Sequence, residues 1–397
     1  MSIGLSKRAQ KLKPSPTLTV SSKAQELKKK GIPIISFGAG EPDFRTPANI
    51  CNKAIEAINN GFHHYTPAPG TVELRKAVCE KLKTDNGLIY EPDNIVVSCG
   101  AKHSLFNLFL VLLNDGDEVL VPSPYWVSYP EQIEIAGGKM VGIPSSMETG
   151  FQINPDKLEE LTTPCTRGIV LNSPCNPSGA VYSRDSLESI AAWAKKHDAF
   201  IISDEIYEKL IYDGGTHISI ASFGKETFER TIVVNGVSKS HAMTGWRIGY
   251  AAGPRHIMKK ASALQSQNTS NPASISQAAA LEALVGDQSS VLMMREAFNK
   301  RRNLMVNLLN DISGIRAVKP GGAFYVFPDV SSFYGKKVAG VLINDSITFC
   351  SAALLVAEVA LVPGVAFGMD NHVRLSYAMS DDDIKTGLKR LKDFLKG

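Results

Sequence analysis

Residues 231–250 read TIVVNGVSKSHAMTGWRIGY and contain the best candidate for covalent chemistry, Lys239. The apolar run at 231–234 predicts a buried strand that ends in a small polar turn, and α/β enzymes place reactive groups at such strand ends. A lysine in an apolar pocket can lose its proton and condense with an aldehyde. A lone lysine is more often a surface residue, but Ser238 and Arg247 add the hydroxyl and the cation that a phosphorylated aldehyde requires.

The string GVSKS at 236–240 has a rival interpretation as a Walker-type phosphate loop. That loop has a glycine directly before its lysine, whereas this chain has Ser238. We therefore reject it and interpret the segment as a strand, a turn that carries Lys239, and a second strand that begins after Trp246.

The composition indicates a protein of two domains without a membrane span. The chain has 397 residues, 44% of them hydrophobic, which is enough for two cores. A net charge of +4 is too small to indicate nucleic-acid binding but suits anionic ligands. The six scattered cysteines predict free thiols in a cytoplasmic protein. Glu358 and Pro363 interrupt the longest apolar run, 352–366, and the basic N-terminus lacks the apolar segment of a secretory signal.

Predicted strands and helices alternate from Ile95 to Tyr250, which indicates a mainly parallel sheet covered by helices on both faces. The strands are predicted at 95–98, 117–121, 168–171, 199–203 and 231–234, and the helices at 46–60, 102–113 and 183–197. We therefore predict an α/β fold with a large domain at 46–285. A smaller α+β domain combines an N-terminal arm, 1–45, with the C-terminal part, 286–397.

The flanking regions are predicted with fewer regular elements. The arm has one helix at 22–30 and one strand at 32–37, and a long helical region at 273–310 leads into the C-terminal part. Its basic cluster at 295–302 is interpreted as a solvated face rather than a nucleic-acid patch.

Several strand ends present side chains that suit a ligand. The turn Gly100-Ala101-Lys102 opens a helix, whose free N–H groups can bind an anion. Trp126 could fill the core or stack on a flat ring. The string NSPCNPSG at 172–179 predicts a rigid turn that presents Asn176.

Other candidate residues lie on strand ends and loops along the chain. Asp204 ends a predicted strand three residues before Tyr207. The string GAGEPDF includes Gly40; no helix follows its GxG, so we predict close approach of a ligand to the backbone rather than a dinucleotide fold. Tyr65 lies in an exposed loop whose two histidines have no metal partners at helical spacing, and we predict no metal site. Arg374, within an apolar strand, requires an ion pair or an anionic ligand.

A series of motifs in order over essentially the whole chain resembles those of class I (fold type I) pyridoxal-phosphate-dependent aminotransferases. The resemblance is greatest to the bacterial aspartate aminotransferase branch, subgroup Ib, through the arm KPS, SPYWVSYPE and MTGWRIGY. The other matching strings are GEPDF, YTPAPG, CGAK, NSPCNPSG, DEIY and VRLS. Ser178 replaces the usual threonine of the asparagine-proline motif, and Cys175 stands at its variable position.

The resemblance implies pyridoxal 5'-phosphate as the cofactor, held covalently by Lys239. Asp204 would keep the ring nitrogen protonated, Asn176 and Tyr207 would donate to the phenolate oxygen, and Trp126 would stack on the ring. The implied phosphate-binding residues are Gly100, Ala101, Lys102, Ser238, Arg247 and the partner's Tyr65. The implied substrate-binding residues are Gly40, Trp126, Asn176, Lys13 and Arg374, the last of these for the α-carboxylate.

The implied reaction is transamination between L-aspartate and 2-oxoglutarate, with prephenate as a further substrate. The alternatives are an aminotransferase for aromatic amino acids, alanine or diaminopimelate, a synthase or decarboxylase of the same fold, and a non-enzymatic cofactor-binding regulator. Amino acids and 2-oxo acids are the expected partners, with no nucleic acid and no membrane. The expected assembly is a homodimer with shared active sites.

A second carboxylate on the substrate needs a cation, because burying an unpaired charge is prohibitive. Better-known aspartate aminotransferases use a second arginine, but residues 265–278 contain neither arginine nor lysine. Lys13 in the string KPS matches a lysine that related enzymes use for dicarboxylic substrates. Arg45 is the second candidate, although we interpret it as a solvent-facing charge.

Overall fold

A seven-stranded sheet forms the centre of the computed structural model, which describes residues 3–6, 9–10, 12 and 16–396. The strands of the described chain are β1 Ile35–Ser36, β2 Ile95–Ser98, β3 Glu118–Pro122, β4 Lys139–Ile143, β5 Thr166–Asn172, β6 Phe200–Asp204, β7 Thr231–Gly236, β8 Gly249–Ala252, β9 Tyr325–Val326, β10 Lys336–Val338, β11 Val341–Ile343, β12 Val359–Ala360, β13 Val362–Pro363 and β14 Val373–Ser376. The central sheet has the order β2-β8-β7-β6-β5-β3-β4.

The helices are mostly short. In the described chain they are α1 Pro16–Lys29, α2 Ala48–Asn59, α3 Val72–Asn86, α4 Ala101–Leu112, α5 Ser128–Ile135, α6 Pro155–Glu160, α7 Arg184–Lys196, α8 Lys225–Arg230, α9 Arg255–Asn268, α10 Ser274–Val285, α11 Ser289–Asn310, α12 Ser346–Val356 and α13 Asp381–Lys396. None of the helices in these described residues is long and apolar enough to cross a membrane.

The direction of the strands confirms the predicted mainly parallel sheet. Neighbours from β7 through β6, β5 and β3 to β4 are parallel, and only β8 runs antiparallel to its neighbours β2 and β7. The turn after β7 returns directly into β8 without a crossover helix, which is why these two strands are antiparallel. This turn carries Lys239, so the lysine lies where β6 and β7 end.

Helices cover both faces of the sheet, as predicted from the alternation of elements. Along β2, Ile95 and Val97 pack in one apolar cluster, whereas Val96 packs in another with residues of α4 and α9. Successive side chains of a strand point to opposite faces, so the two clusters lie on the two sides of the sheet. The α/β fold class is therefore confirmed.

The remaining elements form smaller sheets beside the central one. The strands β13, β14 and β9 make an antiparallel three-stranded sheet, on which α11 and α13 pack. The short strand β1 pairs in parallel with β12, so the N-terminal segment joins C-terminal elements. This pairing agrees with a small domain assembled from both ends of the chain; its boundaries stay a prediction.

Several predicted elements differ from the structure outside the central sheet. The helix predicted at 22–30 begins earlier, at Pro16, and the strand predicted at 32–37 is limited to β1. The helical region predicted at 273–310 is two helices, α10 and α11, because the backbone of Gly286 is extended and ends the first of them.

The interpretation of 295–302 as a solvated face is wrong for Arg302, which is fully buried. Its guanidinium donates to Asp213 Oδ1 at 2.7 Å and to the Pro320 carbonyl oxygen at 2.9 Å. It also lies 4.7 Å from the centre of the Tyr212 ring. An arginine can be buried when its donors and its charge are matched in this way.

Candidate active site

A cavity of about 720 Å³ opens at the carboxyl ends of β5, β6 and β7. Ligands of open α/β sheets bind at this end of the strands. The cavity brings together residues that are far apart in the sequence. Of the residues predicted for the site, it is lined by Gly40, Ala101, Lys102, Trp126, Asn176, Asp204, Tyr207, Ser238, Lys239, Arg247 and Arg374.

Lys239 presents its amine to this cavity from the turn after β7. Its Nζ donates to the carbonyl oxygen of Gly40 at 2.6 Å. The pKa of Lys239 is lowered to about 8, mainly by burial; the charges of Arg247 and Arg374 contribute to the decrease, whereas those of Glu41 and Asp204 oppose it. A fraction of this lysine is therefore a neutral nucleophile near neutral pH.

Asp204 ends β6 and is only 4% exposed. Its Oδ2 accepts a hydrogen bond of 2.7 Å from the Tyr129 hydroxyl, and its Oδ1 accepts one of 3.3 Å from the Ile206 amide. Burial raises the pKa of Asp204 to about 6, while these two donors and Lys239 oppose the increase. The site thus contains a buried carboxylate able to accept a proton or to pair with a cationic ring.

The turn after β5 holds Asn176 in one orientation. Asn172, which lies opposite Asp204 in the sheet, donates its Nδ2 to the Asp204 carbonyl oxygen at 3.0 Å. Its Oδ1 accepts from the Asn176 amide at 2.8 Å. The side-chain oxygen of Asn176 in turn accepts from Arg374 at 3.1 Å, which leaves its Nδ2 as the donor for a ligand.

Arg374 is a buried cation without a carboxylate partner among the described residues. It is 3% exposed, and its Nη2 donates to the Gly38 carbonyl oxygen at 2.9 Å. Its guanidinium lies 4.6 Å from the centre of the Tyr325 ring, and its buried Nε has no hydrogen-bond partner in the described chain. A buried charge requires compensation, so an anionic ligand such as a carboxylate fits this position.

Another part of the cavity wall combines two cations with the N-terminus of α4. Burial and the charge of Arg247 lower the pKa of Lys102, so these two cations lie close together. Gly100 has a φ of +89°, and a Cβ there would lie 2.9 Å from Arg247 Cζ. The glycine therefore allows the guanidinium to lie against the first turn of α4. Free backbone N–H groups and clustered cations are the donors that a phosphate requires.

Trp126 lies beside Lys102 of this anion site and also contacts Tyr129. The Lys102 ammonium is 4.8 Å from the centre of its ring. The ring of Tyr129 packs edge-on against it at a centroid distance of 5.4 Å. Trp126 thus has the neighbours that hold an aromatic wall of the cavity in place.

Some residues of the site were missed by the sequence reasoning. Tyr129 lies one helical turn after Trp126, a spacing that could have indicated a shared site. Tyr325 lines the cavity and its hydroxyl is 2.9 Å from that of Tyr207. Asn172 is the first residue of the predicted turn, but no local pattern indicated its contact with the next strand. All the lining residues that were not predicted are Ala24, Gln25, Lys28, Ser36, Gly38, Ala39, Glu41, Leu105, Asn172, Ile206, Thr244 and Tyr325.

Three of the described candidate residues do not line the cavity of this chain. Gly100 lies beneath it, against Arg247. Tyr65 is 90% exposed, and Arg45 is also exposed. Lys13 lies outside the described residues.

One group of side chains in the described chain has the composition of a metal site. Ligand atoms of Glu205, Glu208 and His217 lie within 4.8 Å of one another, behind Asp204. The Lys81 ammonium already pairs with Glu208, and His217 pairs with Glu205 at 2.9 Å. These two basic side chains balance the two carboxylates, so we assign no metal to the group.

Comparison with known proteins identifies the family. Residues 32–391 match the family described as "Aminotransferase class I and II". The chain belongs to this aminotransferase family, and the predicted resemblance is confirmed.

Two relatives and two solved structures are similar over nearly their whole length. The chain is 47% identical to an aspartate aminotransferase of Geobacillus stearothermophilus, over 99% of both chains. It is 48% identical to an aspartate/prephenate aminotransferase of Nitrosomonas europaea, over 98% of this chain and 99% of that one. The aspartate aminotransferase of Thermus thermophilus with maleate has a TM-score of 0.93 at 44% identity, covering 99% of this chain and 100% of that one. That of Rhizobium meliloti has a TM-score of 0.96 at 42% identity, covering 100% and 99%.

Proposed function

We propose that this protein is a pyridoxal-phosphate-dependent aminotransferase that transfers the amino group of L-aspartate to 2-oxoglutarate, giving oxaloacetate and L-glutamate. The observation that carries the proposal is the meeting of Lys239, Asp204 and Arg374 in one cavity. These residues supply a nucleophilic amine, a buried carboxylate and a buried cation. The full-length relatives named aspartate aminotransferase support the choice of substrate.

The residues present fit the cofactor at each of its functional groups. Lys239 offers a partly neutral amine for the aldehyde, and Asp204 offers a buried carboxylate for the ring nitrogen. The α4 N-terminus with Lys102 and Arg247 suits the phosphate. The residues proposed for the phosphate are Gly100, Ala101, Lys102, Ser238, Arg247 and the partner's Tyr65. The residues proposed for the ring are Trp126, Asn176, Asp204 and Tyr207.

When bound, the cofactor supplies an electron-accepting ring that allows a proton to leave the substrate Cα. Asp204 stabilises the positive charge of the ring nitrogen, and Trp126 fixes the plane of the ring. Lys239 would accept the proton from Cα as a general base and, as a general acid, would deliver it to the carbon that had carried the cofactor's aldehyde, so that the amino group stays with the cofactor. Its lowered pKa makes both directions accessible near neutral pH.

Arg374 is proposed to bind the α-carboxylate of the substrate. Asn176 and Gly38 hold its guanidinium, and its unpaired Nε is a further donor. The substrate carboxylate would provide the charge partner that the described residues do not. Gly40 keeps the backbone close to the substrate, since its carbonyl already accepts from Lys239.

The distal carboxylate of aspartate needs a second cation, and we propose Lys13 for this role. The relative named aspartate/prephenate aminotransferase supports prephenate as a further acceptor, and the neighbour solved with maleate supports a dicarboxylate site. Arg45 is exposed and does not line the cavity, which favours its interpretation as a solvent-facing charge.

We also propose a cytoplasmic homodimer in which each site receives Tyr65 from the partner subunit. The 90% exposure of Tyr65 in a single chain supports a contact outside its own subunit. Two neighbouring apolar side chains, Phe62 and Val72, are exposed as well. The six cysteines are free thiols, as expected in a reducing compartment.

Steady-state kinetics with a panel of amino donors and keto acceptors tests the proposal. Parallel double-reciprocal lines for aspartate and 2-oxoglutarate indicate the two half-reactions of a transaminase. If kcat/KM is higher for an aromatic amino acid, alanine or diaminopimelate than for aspartate, that amino acid is the donor instead. Converging lines, or release of carbon dioxide, would indicate a synthase or a decarboxylase instead.

A further inference from the structure

Tyr129 is a fully buried residue that connects two parts of the cofactor site. Its hydroxyl donates to Asp204 Oδ2 at 2.7 Å, and its ring packs edge-on against Trp126. It lies on α5, one turn after the tryptophan, whereas Asp204 ends β6. Tyr129 itself does not line the cavity, so it acts on a ligand only through these two neighbours.

The bond from the Tyr129 hydroxyl is the shorter of the two hydrogen bonds that the Asp204 carboxylate accepts from the described residues. The Ile206 amide approaches Oδ1 at 3.3 Å, a long distance for this kind of bond. A short bond to Oδ2 from a residue on a separate helix restricts rotation of the carboxylate about its last side-chain bond. It also leaves Oδ1, with its weak partner, as the more available acceptor for a ligand.

We propose that Tyr129 is a positioning residue. It holds the Asp204 carboxylate as an anion oriented toward the cofactor ring nitrogen, and it fixes the position of this carboxylate relative to Trp126. The inference rests on the proposed function, because Asp204 acts on the ring nitrogen only if the cofactor is bound here.

The charge state of Asp204 depends on several groups around it. Burial disfavours the anion most, and Glu205 disfavours it further. Tyr129 and the Ile206 amide favour the anion through hydrogen bonds, and Lys239 favours it through charge. The Cys175 thiol and the Tyr207 hydroxyl also lie near enough to this carboxylate for its charge to raise their pKa values. Among the side chains of this set, only Tyr129 donates a hydrogen bond to the Asp204 carboxylate in the described chain.

The substitution Tyr129→Phe tests the inference because it removes one hydroxyl and keeps the ring against Trp126. A hydrogen bond to a charged group contributes about 1.5–3 kcal/mol, which corresponds to about one to two pH units for Asp204. The pKa of Asp204 should rise by that amount. The affinity of the apoenzyme for the cofactor, titrated by absorbance between pH 5 and pH 9, should fall as the solution is acidified. In Tyr129→Phe this fall should begin at a higher pH than in the wild type, by the same amount as the rise in the pKa of Asp204. Turnover should fall about ten- to a hundredfold.

Two controls separate this effect from general damage. Tyr90→Phe removes another buried tyrosine hydroxyl, one without a hydrogen-bond partner in the described chain, and should leave the titration unchanged. In an Asp204→Asn background, Tyr129→Phe should cause no further shift, because the group through which it acts is gone.

The outcomes distinguish the inference from the function on which it rests. A wild-type pH profile of cofactor binding in Tyr129→Phe overturns the positioning role, and so does a shift that persists in the Asp204→Asn background. If Asp204→Asn itself leaves cofactor affinity and turnover unchanged, the proposed role of Asp204 fails as well. Thermal unfolding of each variant verifies that the isosteric change leaves the fold intact.

Discussion

Replacing Arg374 with lysine separates the charge of this residue from its geometry. The guanidinium donates to Gly38 and Asn176 and keeps an unpaired Nε, so it can meet a carboxylate with two parallel N–H groups. A lysine ammonium retains the charge but lacks the planar fork. We therefore expect Arg374→Lys to bind cofactor normally and to bind amino acids poorly.

The size of the effect follows from the number of bonds lost. One hydrogen bond to a charged group is worth about 1.5–3 kcal/mol, which is a factor of roughly 10–150 in kcat/KM. The α-carboxylate is common to every amino donor, so the loss should be similar for aspartate, glutamate and a neutral amino acid. The loss of kcat/KM should appear mainly as a higher KM, since the carboxylate is bound both before and during the reaction.

The assay is steady-state turnover of each donor, with cofactor content measured from absorbance. Arg167→Lys provides a matched control, because that arginine is half exposed and lies 4.0 Å from Asp117, its ion-pair partner. It should show wild-type kinetics. Unchanged kcat/KM in Arg374→Lys, or a loss confined to one donor, would refute the assignment of the α-carboxylate to this residue.

Three further variants test other parts of the site. Lys13→Ala should lower kcat/KM for aspartate, glutamate and prephenate much more than for a neutral amino acid; equal losses would reject Lys13, and Arg45→Ala in the same assay would then test the other candidate. Tyr65→Phe should weaken the binding free energy of the cofactor by about 1.5–3 kcal/mol, because one hydrogen bond to a charged group is lost. A fully active monomer at assay dilution would contradict a shared site. Lys239→Met should raise the Tm of the apoenzyme at pH 7, because folding there keeps a charged amine buried. This gain should shrink between about pH 8, the folded pKa, and pH 10.5, the ordinary value; a gain independent of pH would contradict the lowered pKa.

Most of the central sheet was predictable from the sequence because its strands are short apolar runs separated by helices and turns, but the edge strand β4, which is only partly buried, was not predicted. The strand β2 was predicted to the residue, and β6 and β7 within one or two residues. The chain outside the sheet was less predictable. The burial of Arg302 depends on Asp213 and Pro320, which the fold brings to it from other segments.

The same distinction holds for the site. Motif residues such as Lys239 and Arg374 stand in local strings whose residue types indicate their chemistry, and the fold brings them into one cavity. Tyr129 and Asn172 were missed because their roles depend on contacts between elements. Tyr129 contacts Asp204 only when its helix packs on the sheet. Asn172 contacts Asp204 only when β5 pairs with β6 in register. No spacing along the chain contains that information.

The most direct test of the account is the identity of the amine that holds the cofactor. The purified protein should be yellow, and borohydride reduction should abolish the visible band and fix the cofactor to that amine. Mass spectrometry of a digest should then place the added mass on the peptide with Lys239, and Lys239→Ala should bind cofactor without this adduct and lose nearly all turnover. An adduct on Lys102, no adduct at all, or wild-type activity in Lys239→Ala would contradict the account.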